Sequence, residues 1–194
     1  MADSSLSPLR NWIVAELKRM IPIPGTTIWS DSKQDAAYFT QLTGATQKSL
    51  EANWKIPGNR FTTCSSFLPI FATTIRRAGM LPLETVNKFG FKNTIALHGF
   101  ALNSEVGWVP YSGSPAGAKP GDFFQLGHGG WTDHVGVILE IEDGQWSLVA
   151  GGAGGPSSKH DGVKRTALQP IPGGLMGWLD VDVYFQGWSD DPYA

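Results

Sequence analysis

Cys64 is the only cysteine in this chain of 194 residues, and its setting makes it a candidate nucleophile. It lies in Phe61-Thr62-Thr63-Cys64-Ser65-Ser66-Phe67, at the expected start of a helix. A helix N-terminus carries partial positive charge and N–H groups with no partner inside the helix. Both favour the thiolate, which is the nucleophilic form. The same N–H groups can donate to an oxyanion. Such a nucleophile needs a base from elsewhere in the chain. His134 is the candidate, because it opens the apolar run Val135-Gly136-Val137-Ile138-Leu139 after a loop holding His128, Gly129, Gly130 and Asp133. A histidine at a strand mouth faces a cleft while alternate apolar residues anchor the strand. The competing readings are a buried, inert thiol that acts as a small hydrophobe and an ordinary polar residue at a strand edge.

Other residues of the chain have types that could do chemistry. His128, Asp133 and His134 lack a His-Glu-x-x-His arrangement, so neither a metal nor another cofactor is expected. Gly151 to Gly155 form a glycine run without Gly-Lys-Ser/Thr, which suits a flexible groove rim better than a phosphate loop. Trp108, Trp131 and His128 are candidate groove residues, placed to stack on sugar or peptide. Asp180, Asp182, Asp190 and Asp191 read as solvated surface and tail.

The elements that must position these residues change character along the chain. Ser7-Pro8 starts a helix over residues 8–20, with Leu9, Trp12, Ile13, Leu17 and Met20 at helical spacing. Weaker helical patterns cover 31–42, 46–54 and 84–88. Residues 63–78 form the helix behind Cys64, with Phe67, Leu68, Phe71 and Ile75 on one face, and Gly79 suits its C-terminal cap. Pro69 conflicts with that helix, and a kink or a later start is expected. From residue 118 strands take over, at 122–126, 134–141, 146–150, 163–168 and 177–185. Asp143-Gly144 marks a tight hairpin. Helices followed by sequential strands give an α+β class with an antiparallel sheet.

Composition narrows the function classes. A net charge of −2 lacks the basic footprint of a nucleic-acid binder. Hydrophobic residues at 41% and charged residues at 16% exclude wholesale disorder. Residues 1–194 read as a single domain, with a helical extension over 1–55, a core over 56–188 and a loose tail over 189–194. The apolar patch near Trp12 is soon broken by Glu16, Lys18 and Arg19, so neither a signal peptide nor membrane insertion is expected.

Three motifs together resemble the NlpC/P60 and CHAP group of papain-like peptidases and amidases. Thr63-Cys64-Ser65-Ser66-Phe67, closed by Ala78-Gly79-Met80-Leu81-Pro82, is similar to that group's nucleophile helix. Lys119-Pro120-Gly121-Asp122-Phe123-Phe124 is similar to its entry into the first core strand. Asp133-His134-Val135-Gly136-Val137-Ile138 is similar to its histidine strand. The resemblance spans roughly residues 60–150, about half of the chain. It implies a papain-like fold with N-terminal helices, the nucleophile helix packed on a small antiparallel sheet. It further implies Cys64 as nucleophile, His134 as base and then acid, and an acyl-enzyme hydrolysed by water. The group's usual substrates are amide bonds in peptidoglycan peptides.

Thr63 and Ser66 depart from the Asp and Gly usual in the group. The third catalytic residue is also missing. An unbroken ladder from the Asp143-Gly144 turn sets His134 opposite Ala153, with Ser147, Val149 and Gly151 on the same face. Ser147 is the one polar side chain there, and it is roughly 20 Å away at strand rise. Asp161 and Ser157 are the candidates for an orienting residue, with a Cys-His dyad as the default.

The expected function is a cysteine hydrolase of peptidoglycan peptides. Made in the cytoplasm without a signal peptide, it would act in the periplasm or wall of a target bacterium. Delivery would be as a secreted effector or a phage lysin, and an immunity protein is an expected partner of the effector. The alternatives are a catalytically inactive binding module on the same scaffold, and a cysteine hydrolase or acyltransferase acting on a non-wall protein or lipid.

Overall fold

The computed structural model describes residues 4–29, 64–81, 102–128, 131–153 and 162–189. The helical patterns at 31–42, 46–54 and 84–88 lie outside these residues, as do Asp161, Ser157 and residues 190–194 of the tail. Within the described residues the class is α+β, built on an antiparallel sheet of eight strands.

Helix α1, Pro8–Met20, begins where the sequence indicates. The Ser7 side chain accepts from the Arg10 N–H at 3.2 Å, with Pro8 in the first turn where no donor is missed. Its buried stripe is Leu9, Ile13, Leu17 and Met20. Strand β1, Thr27–Trp29, follows. Both elements fall in the stretch read as an extension, yet α1 belongs to the main core and β1 pairs with the sheet.

Helix α2, Cys64–Ala78, contains Pro69 and is unbroken. The proline stands one turn in from the N-terminus, so it forfeits a single backbone bond. Complete burial of Phe67, Leu68, Phe71, Ala72 and Ile75 offsets that loss. The helix closes differently from expectation. Met80, not Gly79, takes the left-handed conformation at φ 53°. Gly79 is needed for space, because a Cβ there would collide with the Trp188 ring. The Trp188 indole N–H also donates to the Ile75 carbonyl at 2.8 Å, so the chain near residue 189 is pinned to α2.

The remaining strands are β2 Trp108–Pro110, β3 Phe123–His128, β4 Trp131–Glu142, β5 Gln145–Gly151, β6 Gly162–Arg165, β7 Gln169–Pro170 and β8 Leu175–Leu179. Sheet order is β1-β6-β5-β4-β3-β8-β2, with β7 beside β5. The strand read over 177–185 ends early, because Asp180 caps a short helix α3, Val181–Tyr184. The Asp143-Gly144 hairpin forms as expected, with φ of 47° and 75°.

The sheet has two differently covered faces. Val135, Val137, Leu139, Phe123 and Val149 pack with α1 and α2 in the larger core. Phe124, Ile138, Leu148, Ala150, Trp146 and Trp178 form a second cluster on the opposite face.

One buried ion cluster ties α1 to this sheet. Arg10, 1% exposed, meets Asp122 at 2.8 Å, Asp180 at 2.7 Å and Asp182 at 2.6 Å. Asp180 and Asp182 are therefore ligands of a buried guanidinium, which corrects their reading as solvated surface. The Pro120-Gly121-Asp122 turn is part of the same device. The Asp122 carboxylate also accepts from the Lys119 N–H at 2.8 Å, and Gly121, at φ +96°, lies against the Arg10 stem.

Burial pushes the Asp122 carboxyl up to about 7, against the pull of Arg10. The folded chain then holds a proton that the unfolded chain releases at carboxylate pH. This group's contribution to stability is full below the unfolded value, falls between there and about pH 7, and is level above. Asp122→Asn removes that slope. Urea midpoints at about pH 5 and pH 8 should draw the wild type down relative to the variant at the higher pH. A constant difference between the two proteins would refute the shift.

Candidate functional site

Cys64 is the first residue of α2 and is half-buried against the core shared with α1. The body of α2 lies across β4 and β5. The thiol thus stands at a helix N-terminus fixed to the strand that carries His134, as the sequence indicates.

His134 is the fourth residue of β4, not its mouth, because the strand begins at Trp131. It pairs with Leu126 of β3. Its ring lies 5.9 Å from the Phe124 ring, centroid to centroid, and it borders a cavity of about 230 Å³ on the second face. Strand alternation explains this placement. Val135, Val137 and Leu139 are the residues under α2, and His134, Gly136 and Ile138 are the alternate set. The candidate nucleophile helix and the imidazole therefore meet opposite faces of β4.

The register across β4 and β5 differs from the unbroken ladder by one residue. Glu142 pairs with Gln145 as expected, but Val137 pairs with Val149 after an irregularity between Ile138 and Glu140. A bulge of one residue moves every later side chain to the other face. His134 consequently shares its face with Leu148 and Ala150 of β5. Ser147 faces the other way, is buried, and donates to the Thr166 carbonyl at 2.7 Å. No polar side chain of β5 lies beside His134 in this register.

Gly136 makes the imidazole's seat possible. A Cβ there would lie 2.8 Å from the Phe124 ring, 2.9 Å from Ala150 Cβ and 2.5 Å from the Val149 carbonyl. Phe124 occupies the space that a side chain would need and supports His134. Gly136→Ala should cost about 1–3 kcal/mol by overpacking and displace the Phe124 ring. Chemical denaturation measures the first effect and ring chemical shifts the second. Wild-type stability with an unmoved ring would refute this account.

The proposed groove residues separate. Trp108 opens β2, pairs with Leu179 and packs at the edge of the larger core. Its ring fills the space above Gly177, where a Cβ would lie 2.6 Å from it. That is a packing role, and Trp108 does not border the His134 cavity. His128 and Trp131 pair with each other at the end of the β3–β4 ladder, beyond an irregularity at Leu126/Gly127. Their backbone therefore lies at the same end of the sheet as His134.

Among the described residues no group of three His, Cys, Asp or Glu side chains gathers as a metal site. None of the described helices is long and apolar enough to cross a membrane. No family model, curated protein or solved structure matches this chain.

Proposed function

We propose that this chain is a papain-like cysteine hydrolase of the NlpC/P60–CHAP kind, cleaving amide bonds in bacterial peptidoglycan peptides. The observation that carries this reading is Cys64 at the first position of a 15-residue helix seated on the sheet that carries His134. In this mechanism the Cys64 thiolate attacks the amide carbonyl carbon, and the first-turn N–H groups of α2 receive the oxyanion. His134, which holds the proton taken from the Cys64 thiol, passes it to the leaving amine as the C–N bond breaks. His134 then takes a proton from water, whose oxygen attacks the thioester and releases Cys64. No cofactor takes part. This mechanism requires the Cys64 thiol and the His134 imidazole to come together past the β3–β4 end of the sheet, because α2 covers the opposite face of β4. As a delivered antibacterial effector, the protein would be kept with an immunity protein that blocks this end.

A second reading has its own observation. His134 borders an apolar cavity on the face away from α2, which suits a binding module in which Cys64 is a packing residue. Alkylation by iodoacetamide separates the two. In the hydrolase Cys64 reacts in the folded protein near neutral pH, about tenfold or more faster than an unperturbed thiol, and His134→Ala slows it. A thiol that resists until denaturant is added supports the binding module.

A further inference from the structure

The cavity beside His134 has a composition that points to a ligand class. Phe124, Leu126, Leu148 and Ala150 give it an apolar floor, and Lys164 stands on its wall. None of the described lining residues is acidic. Lys164 is exposed and forms no ion pair among the described residues, whereas its neighbour Arg165 turns to the other face and pairs with Glu140 at 3.0 Å. The larger groove between α1 and β4, about 630 Å³, differs in this respect. Its Lys18 is already paired with Glu140 at 2.7 Å.

Register places His134 and Lys164 on the cavity, which Thr166 and Gln169 also border. Ala150 pairs with Lys164, and Val137 pairs with Val149, so Gly136 is level with Lys164 two strands away. His134 is two residues further along β4. Strand spacing and rise then separate the His134 and Lys164 Cα atoms by roughly 12 Å. Both side chains are long enough to reach into the interval, and an apolar group of several carbons fills the floor between them.

We propose that this cavity binds a small carboxylate with an apolar body, with Lys164 as its charge anchor. The carboxylate pairs with the Lys164 ammonium, and the hydrocarbon part covers Leu148 and Ala150. The ammonium is at the cavity's wall and already solvated in the free protein, so pairing it demands little desolvation. The site does not depend on hydrolysis by Cys64.

The test uses the full chain carrying Cys64→Ala, so that failure here and failure of the hydrolase reading remain distinct. Hexanoate and hexanamide are titrated at low ionic strength and followed by NMR of the Leu148 and Ala150 methyl groups. Hexanoate should bind about threefold to fivefold more tightly than hexanamide, the scale of one exposed ion pair. Lys164→Gln, an exposed substitution that spares the core, should bring the ratio to about one. Equal affinities in the parent, a preference that survives Lys164→Gln, shifts confined to other residues, or no binding by either probe would each overturn the proposal.

Discussion

Cys64→Ala should abolish the release of peptide fragments from purified sacculi, with a loss on the order of a thousandfold or more, as for removal of a covalent nucleophile. The size of the effect follows from the chemistry. Water alone has no activated nucleophile to replace the thiolate, and the oxyanion donors act only on an adduct that must first form. The substitution itself is mild for the fold. Cys64 is half-buried at the end of α2, and alanine is a good helix former. Unchanged thermal unfolding with lost activity therefore assigns the loss to chemistry. Mass spectrometry of the fragments identifies the bond from the new termini. Equal release by both proteins makes Cys64 structural, and release by neither moves the function away from this substrate.

Arg10→Met should destabilise the fold by about 3–5 kcal/mol at pH 8, the usual cost of leaving a buried charge unpaired. Methionine keeps the apolar stem that lies beside Gly121, so the loss reports the guanidinium. Three carboxylates depend on that group. Asp122, 1% exposed, loses its cation while still accepting two backbone N–H groups, from Lys119 at 2.8 Å and Val181 at 3.3 Å. Asp180 and Asp182 are about one-third exposed and recover water, so they contribute less. Adding Asp122→Asn to Arg10→Met should return much of the lost stability, because it removes the stranded charge. Urea unfolding of the two single variants and the double variant measures this coupling. Additive losses would show that Arg10 and Asp122 act independently.

Cys64 and the Arg10 cluster differ in how far the sequence alone reveals them. Local signals determined Ser7-Pro8 as the start of α1, residues 63–78 as the next described helix and Asp143-Gly144 as a hairpin. Each rests on interactions within a few residues: a cap, an apolar stripe, or a left-handed turn. The succession of helices and then strands also determined an α+β protein with an antiparallel sheet. Pro69 was a local conflict, and packing of the α2 apolar face overrides it.

Tertiary structure decided the rest. The aspartates at 180 and 182 carry no local sign that a guanidinium 170 or more residues earlier will bury beside them. Asp180 then ends β8 and caps α3, where alternation alone continues the strand. Three-residue edge strands such as β1 and β2 have too little periodicity to be recognised without their partners. The face of His134 is the most consequential case. Its strand was evident from Val and Ile content, but which face it takes follows from the layer that α2 covers. Its neighbours on β5 follow from a one-residue irregularity between Ile138 and Glu140. Period-two alternation carries no absolute sense of inside and outside, so helix packing sets the face and a single bulge resets the register.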